Sequence, residues 1–245
     1  MSDQIRIAYA ITMACALGIA WRLLRTRQSR LDLPSDQRIG IAIGAFVGAM
    51  IGAKMPFVLE ADWESLRSGT IWLSDGKTIL GGIFGGYLAV EVTKWCMGIT
   101  TKTGDAFAVP IAVAVAIGRI ACFIAGCCFG IPTQMPWGVE FPSANDPSGT
   151  LRHPTQLYEV AFHLTAAALL WLAEQRGWLP RQRLKAYLLA YLTYRFVSEW
   201  LRPEPTDHWG LTAYQIACVI LGAVLAVLWA ADAKLGDVSD ESQTS

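Results

Sequence analysis

The chain has 245 residues, of which 53% are hydrophobic and only 16% charged, and its formal net charge is zero. Soluble domains carry about 25% charged residues, so this composition excludes an ordinary soluble globule and points to a membrane protein. The neutral balance gives no reason to expect a nucleic-acid partner.

Apolar runs of the length that crosses a bilayer, roughly 17–25 residues, occur at 5–24, 38–59, 78–98, 104–126, 154–173, 184–202 and 210–231. Lipid requires each span to satisfy its own backbone, which a helix does. The expected fold is therefore all-α, a polytopic membrane protein of seven transmembrane helices forming a single domain over residues 1–231. Residues 232–245 (DAKLGDVSDESQTS) read as a polar, disordered cytoplasmic tail.

In the first span Arg22, Arg25, Arg27 and Arg30 follow the apolar run, whereas a cleavable signal carries its positive charge in front. This places the N-terminus outside and the C-terminus in the cytoplasm. Alternating the spans from there collects Arg38, Lys94, Lys102, Arg176, Arg181, Arg183, Lys185 and Lys234 on the cytoplasmic side as well. Only Arg6, Lys54, Arg67, Lys77, Arg152 and Arg202 are left outside. The tryptophans fall near span ends or in loops, Trp21, Trp95, Trp171 and Trp229 inside and Trp137, Trp200 and Trp209 outside, as an aromatic belt requires.

The second span carries Gly40, Gly44, Gly48 and Gly52, and the third Gly81, Gly82, Gly85 and Gly86. Small residues at every fourth position let helix backbones approach closely, so tight packing is expected there. The fourth span ends in GRIACFIAGCCFG (118–130), with Arg119 about seven residues before its outer end. The fifth opens on HPTQLYE, with Pro154 suited to a first helical turn and Gln156, Glu159 and His163 on one face. The sixth carries Tyr191, Arg195, Glu199 and Arg202 as one stripe, and the seventh begins near Tyr214 and Gln215. Lys54 ends the second span at the same level. The inner half is nearly free of charge apart from Glu91, which can pair with Lys94.

Charge within a span is costly and faces a bundle interior or a water-filled cavity. Arg119, Arg195, Arg202 and Lys54 outnumber Glu159 and Glu199, and the surplus calls for an anion. Arginine grips phosphate through a bidentate fork, so the expected ligand is an anionic phospholipid head group at the outer leaflet. The competing reading is a set of internal ion pairs that holds the helices together, and Glu199 either orients Arg195 or touches substrate. No metal-ligand cluster is read and no cofactor is expected. Cys127 and Cys128 fit packing in a tight turn, a disulfide or catalysis; Cys15, Cys96 and Cys218 read as buried side chains. His163 reads as a hydrogen-bonded structural residue, and His208 as interfacial.

In this order, GRIACFIAGCCFG, PWGVEFP, HPTQLYE and YRFVSEWLRPEP resemble the bacterial prolipoprotein diacylglyceryl transferase family. GAFVGAMIGAK (44–54) is similar to that family's second-helix motif, with Lys54 where arginine is usual. The resemblance covers roughly residues 40–225 and implies a reaction. A diacylglyceryl group passes from phosphatidylglycerol to the lipobox cysteine thiol in a prolipoprotein signal peptide, and glycerol phosphate leaves. The location implied is the bacterial inner (plasma) membrane, with the site facing the outer leaflet among membrane lipids. Arg119 matches the family's phosphatidylglycerol-binding arginine and Arg195 its second essential arginine. Glu199, Arg202, Gln156, Tyr158, Glu159 and Gly130 match other motif positions.

The chain departs from the family where Cys122, Ala125, Gly126 and Cys127 stand for an asparagine and an asparagine-glycine-glutamate run, and where Phe84 stands for a histidine. With that proposed base missing, His153, Glu159 or His163 are the substitutes, or the acceptor thiol ionises unaided. The alternatives are a paralogous phospholipid-dependent transferase with another acceptor, an anionic-lipid transporter and a lipid-binding protein.

Overall fold

The computed structural model describes residues 3–60, 63–69, 78–141, 147–206 and 210–244. The chain is mostly helical: α1 (Asp3–Gln28), α2 (Ser35–Glu60), α3 (Trp63–Ser68), α4 (Ile79–Cys96), α5 (Gly104–Ile124), α6 (Thr155–Gln175), α7 (Arg183–Ser198) and α8 (Ala213–Thr244). A helix lies over each of the seven expected spans. Of these, α1, α2, α5, α6 and α8 are long and apolar enough to cross a membrane. The other two are shorter, α4 with 18 residues and α7 with 16. Large apolar side chains such as Ile7, Phe46, Leu88, Leu164, Val219 and Val227 point outward from the helices. In water that exposure would be costly, whereas in lipid it is neutral. His208, Lys77 and Trp209 lie outside the described residues.

The helices form two compact units. The first, residues 28–102, is α2 packed along α4. The glycine stripes make that contact. A methyl group on Gly48 would collide with the Gly85 carbonyl and Ala89, and one on Gly52 would lie 2.7 Å from Gly85 Cα. The backbones therefore touch, and van der Waals contact between them replaces the hydrophobic drive that lipid cannot supply. Glu91 and Lys94 form the expected ion pair at 3.0 Å.

The second unit comprises residues 1–27 and 103–245. Here α5 packs on α6, and α7 packs on α8, α5 and α6. The α5–α6 connection carries a short antiparallel pair, β1 (Val139–Glu140) with β2 (Leu151–Arg152), in the register Val139 to Arg152. One end of this unit is closed by three ion pairs: Arg27–Glu174 and Arg183–Asp105, each 3.2 Å, and Lys185–Asp232, 2.5 Å. Each of these three carboxylates has one cation. The opposite end is built from the last turns of α5 and α7 and the first turns of α6 and α8, and there two arginines share one carboxylate, so its pairing is unbalanced.

Cys218 is buried as expected, but Cys15 and Cys96 are exposed. A thiol is a small apolar group, and against lipid such a group has no reason to seek the interior.

Candidate functional site

The polar stripes of α5, α6 and α7 meet at the unbalanced end. Gln156, Glu159 and His163 are all fully buried, as their shared face requires, and so are Tyr191 and Glu199. Glu159 is the hub. Its Oε2 receives Arg119 Nη2 at 2.7 Å and Arg202 Nη2 at 3.4 Å, and its Oε1 accepts the Tyr191 hydroxyl at 3.0 Å. His163 Nε2 stands 3.7 Å from the same Oε1. The Tyr187 hydroxyl shares a 2.9 Å hydrogen bond with His163 Nδ1.

Arg195 and Glu199 form a second pair at 2.5 Å, one helical turn apart. Thr212 Oγ1 donates to the other Glu199 oxygen at 3.0 Å, and the Tyr214 ring lies 4.8 Å beneath the Arg195 guanidinium. Thr212 also caps α8. Its amide donates to Gln215 Oε1 at 2.9 Å, while the Gln215 amide donates to Thr212 Oγ1 at 3.2 Å. This reciprocal capping box fixes Thr212 where Glu199 needs a donor. Both Glu199 oxygens are thereby occupied, which fits orientation of Arg195.

Three guanidiniums thus face two carboxylates, one cation in excess. Arg119 Nε and Arg202 Nε are buried with no hydrogen-bond partner. Orphaned donors on buried cations are costly, and an anion would satisfy them.

The family model described as prolipoprotein diacylglyceryl transferase matches residues 3–231. The chain belongs to the prolipoprotein diacylglyceryl transferase family. It is 33% identical to the phosphatidylglycerol–prolipoprotein diacylglyceryl transferase of Clostridium tetani, covering 82% of this chain and 83% of that one. Its identity to the protein of the same name from Pseudomonas fluorescens is 30%, over 91% and 88% of the two chains. Against the one from Leifsonia xyli it is 33%, over 89% and 72%.

The remaining candidates fall elsewhere. His153 Nδ1 shares a 3.0 Å hydrogen bond with the Tyr158 hydroxyl, which accepts Trp137 Nε1 at 2.7 Å. This trio is separate from the guanidinium hub in every hydrogen bond described for it. Gln156 Nε2 donates to the Cys127 carbonyl, and Thr155 Oγ1 to the Cys128 carbonyl at 2.8 Å. Gly130 serves a close approach: a Cβ there would lie 2.5 Å from the Leu201 carbonyl and 2.8 Å from His153 Cβ. Its amide donates to the His153 carbonyl at 2.8 Å, and its carbonyl accepts Arg152 Nη1 at 2.8 Å. Lys54 is buried in α2 of the first unit, and Phe84 lies in α4 of the same unit.

Sequence reading missed Tyr187 and Thr212. Tyr187 sits one turn before Tyr191 and extends the same stripe. Thr212 and Gln215 carry the spacing of a capping box, readable in TAYQ. Reading also found no ligand cluster, yet the Sγ atoms of Cys122, Cys127 and Cys128 all lie within 4.8 Å of one another.

Proposed function

We propose that this chain is a phosphatidylglycerol–prolipoprotein diacylglyceryl transferase. It would span a bacterial inner membrane seven times, N-terminus outside and C-terminus inside, with its site at the outer leaflet. The observation that carries the reading is the excess buried guanidinium at one end of the second unit, with two orphaned Nε donors. Family membership supports the substrates, because the relatives are named for phosphatidylglycerol and prolipoprotein.

In this reading Arg119 and Arg202 grip the lipid phosphate, and Arg195 is the further donor. Attack by the acceptor thiolate on the glycerol carbon forms the C–S bond and breaks the C–O bond. The electron pair leaves on glycerol phosphate, whose growing charge the guanidiniums stabilise. Glu159 holds the two arginines, since its oxygens are already engaged by Arg119, Arg202 and Tyr191. His163 is sealed inside behind Tyr187, which fits a positioning role.

The test uses membranes containing the full chain, labelled phosphatidylglycerol and a lipobox peptide. Label passes to the peptide thiol, and Arg119→Ala lowers the rate about 10²–10³-fold, as loss of one transition-state donor does. Unchanged phosphatidylglycerol binding by Arg119→Ala overturns the phosphate grip. Binding without transfer to the peptide points to another acceptor, the reading favoured by Cys122, Ala125, Cys127 and Phe84 at family motif positions.

A further inference from the structure

The three clustered thiols have a local structural cause. Helix α5 is capped by Ala125, followed by Gly126 in the left-handed region (φ 66°). The Cys127 amide then donates to the Cys122 carbonyl at 3.1 Å, and the Gly126 amide to the Phe123 carbonyl at 3.0 Å. That pair of hydrogen bonds is the Schellman motif, which frequently brings the second residue after the cap into contact with the helix residue five before it. Usually both are apolar and the contact is a buried one. Here they are Cys127 and Cys122, and Cys127 is exposed.

A third sulfur joins them at a cost. Cys128 adopts φ 62°, a conformation that costs a residue with a side chain about 1–2 kcal/mol. The Thr155 and Gln156 side chains hold the turn by binding the Cys128 and Cys127 carbonyls. Cys127 and Cys128 stand exposed beside half-buried Cys122, all three as free thiols open to a ligand.

We propose that Cys122, Cys127 and Cys128 form a binding site for a thiophilic divalent cation of the zinc class. A tetrahedral ion with metal–sulfur bonds of about 2.3 Å spaces its sulfurs about 3.8 Å apart, so separations within 4.8 Å close on it with side-chain adjustment alone. Charge selects the valence. Three thiolates around a divalent ion leave one negative charge. The Arg119 and Arg202 guanidiniums, which already share Glu159, bear on these sulfurs, and one residual negative charge asks less of them than two. A monovalent ion would leave two. Binding releases the thiol protons to water and involves no redox step. Three protein ligands leave a fourth position for water or an added thiolate.

The test is cobalt uptake by the full chain in detergent, reduced and handled without oxygen. One cobalt ion binds with the intense visible absorption of tetrahedral thiolate coordination, and zinc abolishes that absorption by displacement. The band disappears in each of Cys122→Ser, Cys127→Ser and Cys128→Ser, and persists in Cys15→Ser, Cys96→Ser and Cys218→Ser. Its absence from the folded wild type, or its persistence without Cys122, overturns the site. A second readout needs no variant. Zinc slows alkylation of Cys122, Cys127 and Cys128 together while leaving Cys15 and Cys96 unaffected, and equal labelling with and without zinc also overturns it.

Discussion

Glu159 shows how a single residue sets the chemistry of this end of the protein. One carboxylate holds two guanidiniums and a tyrosine hydroxyl, at 2.7, 3.4 and 3.0 Å. Removing one partner from a buried ionic group costs about 3–5 kcal/mol, because the other charges stay buried without compensation. Glu159→Gln therefore lowers the thermal unfolding midpoint in detergent clearly, and it weakens lipid binding by releasing Arg119 and Arg202 from their common anchor. An unchanged midpoint would show that the guanidiniums do not depend on this carboxylate. The stripe containing Glu159 was readable from the sequence because residues three and four apart share a helix face. Which guanidinium grips which carboxylate was not, since that choice depends on distances between helices.

Close approach organises the elements. The α2–α4 pair is a backbone contact made at Gly48, Gly52, Gly81 and Gly85. A methyl at Gly85 would strike the Gly48 carbonyl and lie 2.7 Å from Gly52 Cα, and backbone cannot move aside as a flexible side chain can. Gly85→Ala is accordingly expected to destabilise by about 1–3 kcal/mol, the usual range for overpacking. Gly18→Ala meets nothing within 4 Å and should be neutral or slightly stabilising, since alanine is the better helix former. Thermal unfolding of the two variants in parallel checks this, and equal behaviour would refute the tight interface. Between α7 and α8 an open apolar groove runs past Leu192, Phe196, Cys218 and Gly222, on the helices that hold Arg195 and Tyr214. The glycine stripes announced the first contact. The groove has no comparable signal, because it arises where two helices fail to fill the space between them.

Asymmetry of charge marks the whole molecule. Positive residues gather in the segments assigned to the cytoplasm, and Trp21, Trp95, Trp137, Trp171 and Trp200 are exposed near helix ends, where a membrane interface would receive them. On this basis a fluorescent-protein fusion after Ser245 glows in the cytoplasm while a phosphatase fusion at the same point stays inactive. An active phosphatase there would reverse the proposed orientation and with it the placement of the site at the outer leaflet.

The sequence by itself determined the helices, the membrane class and the family. Those rest on local quantities: apolar run length, helical periodicity and motif order. Only the tertiary structure decided the pairing. It joined Arg119 and Arg202 on Glu159, gave Arg195 to Glu199 and Thr212, turned His153 toward Tyr158, and gathered three sulfurs at the end of α5. These facts depend on where separate helices come to rest against each other, and on one left-handed turn that folds the chain back on its own helix. No period in the sequence encodes either.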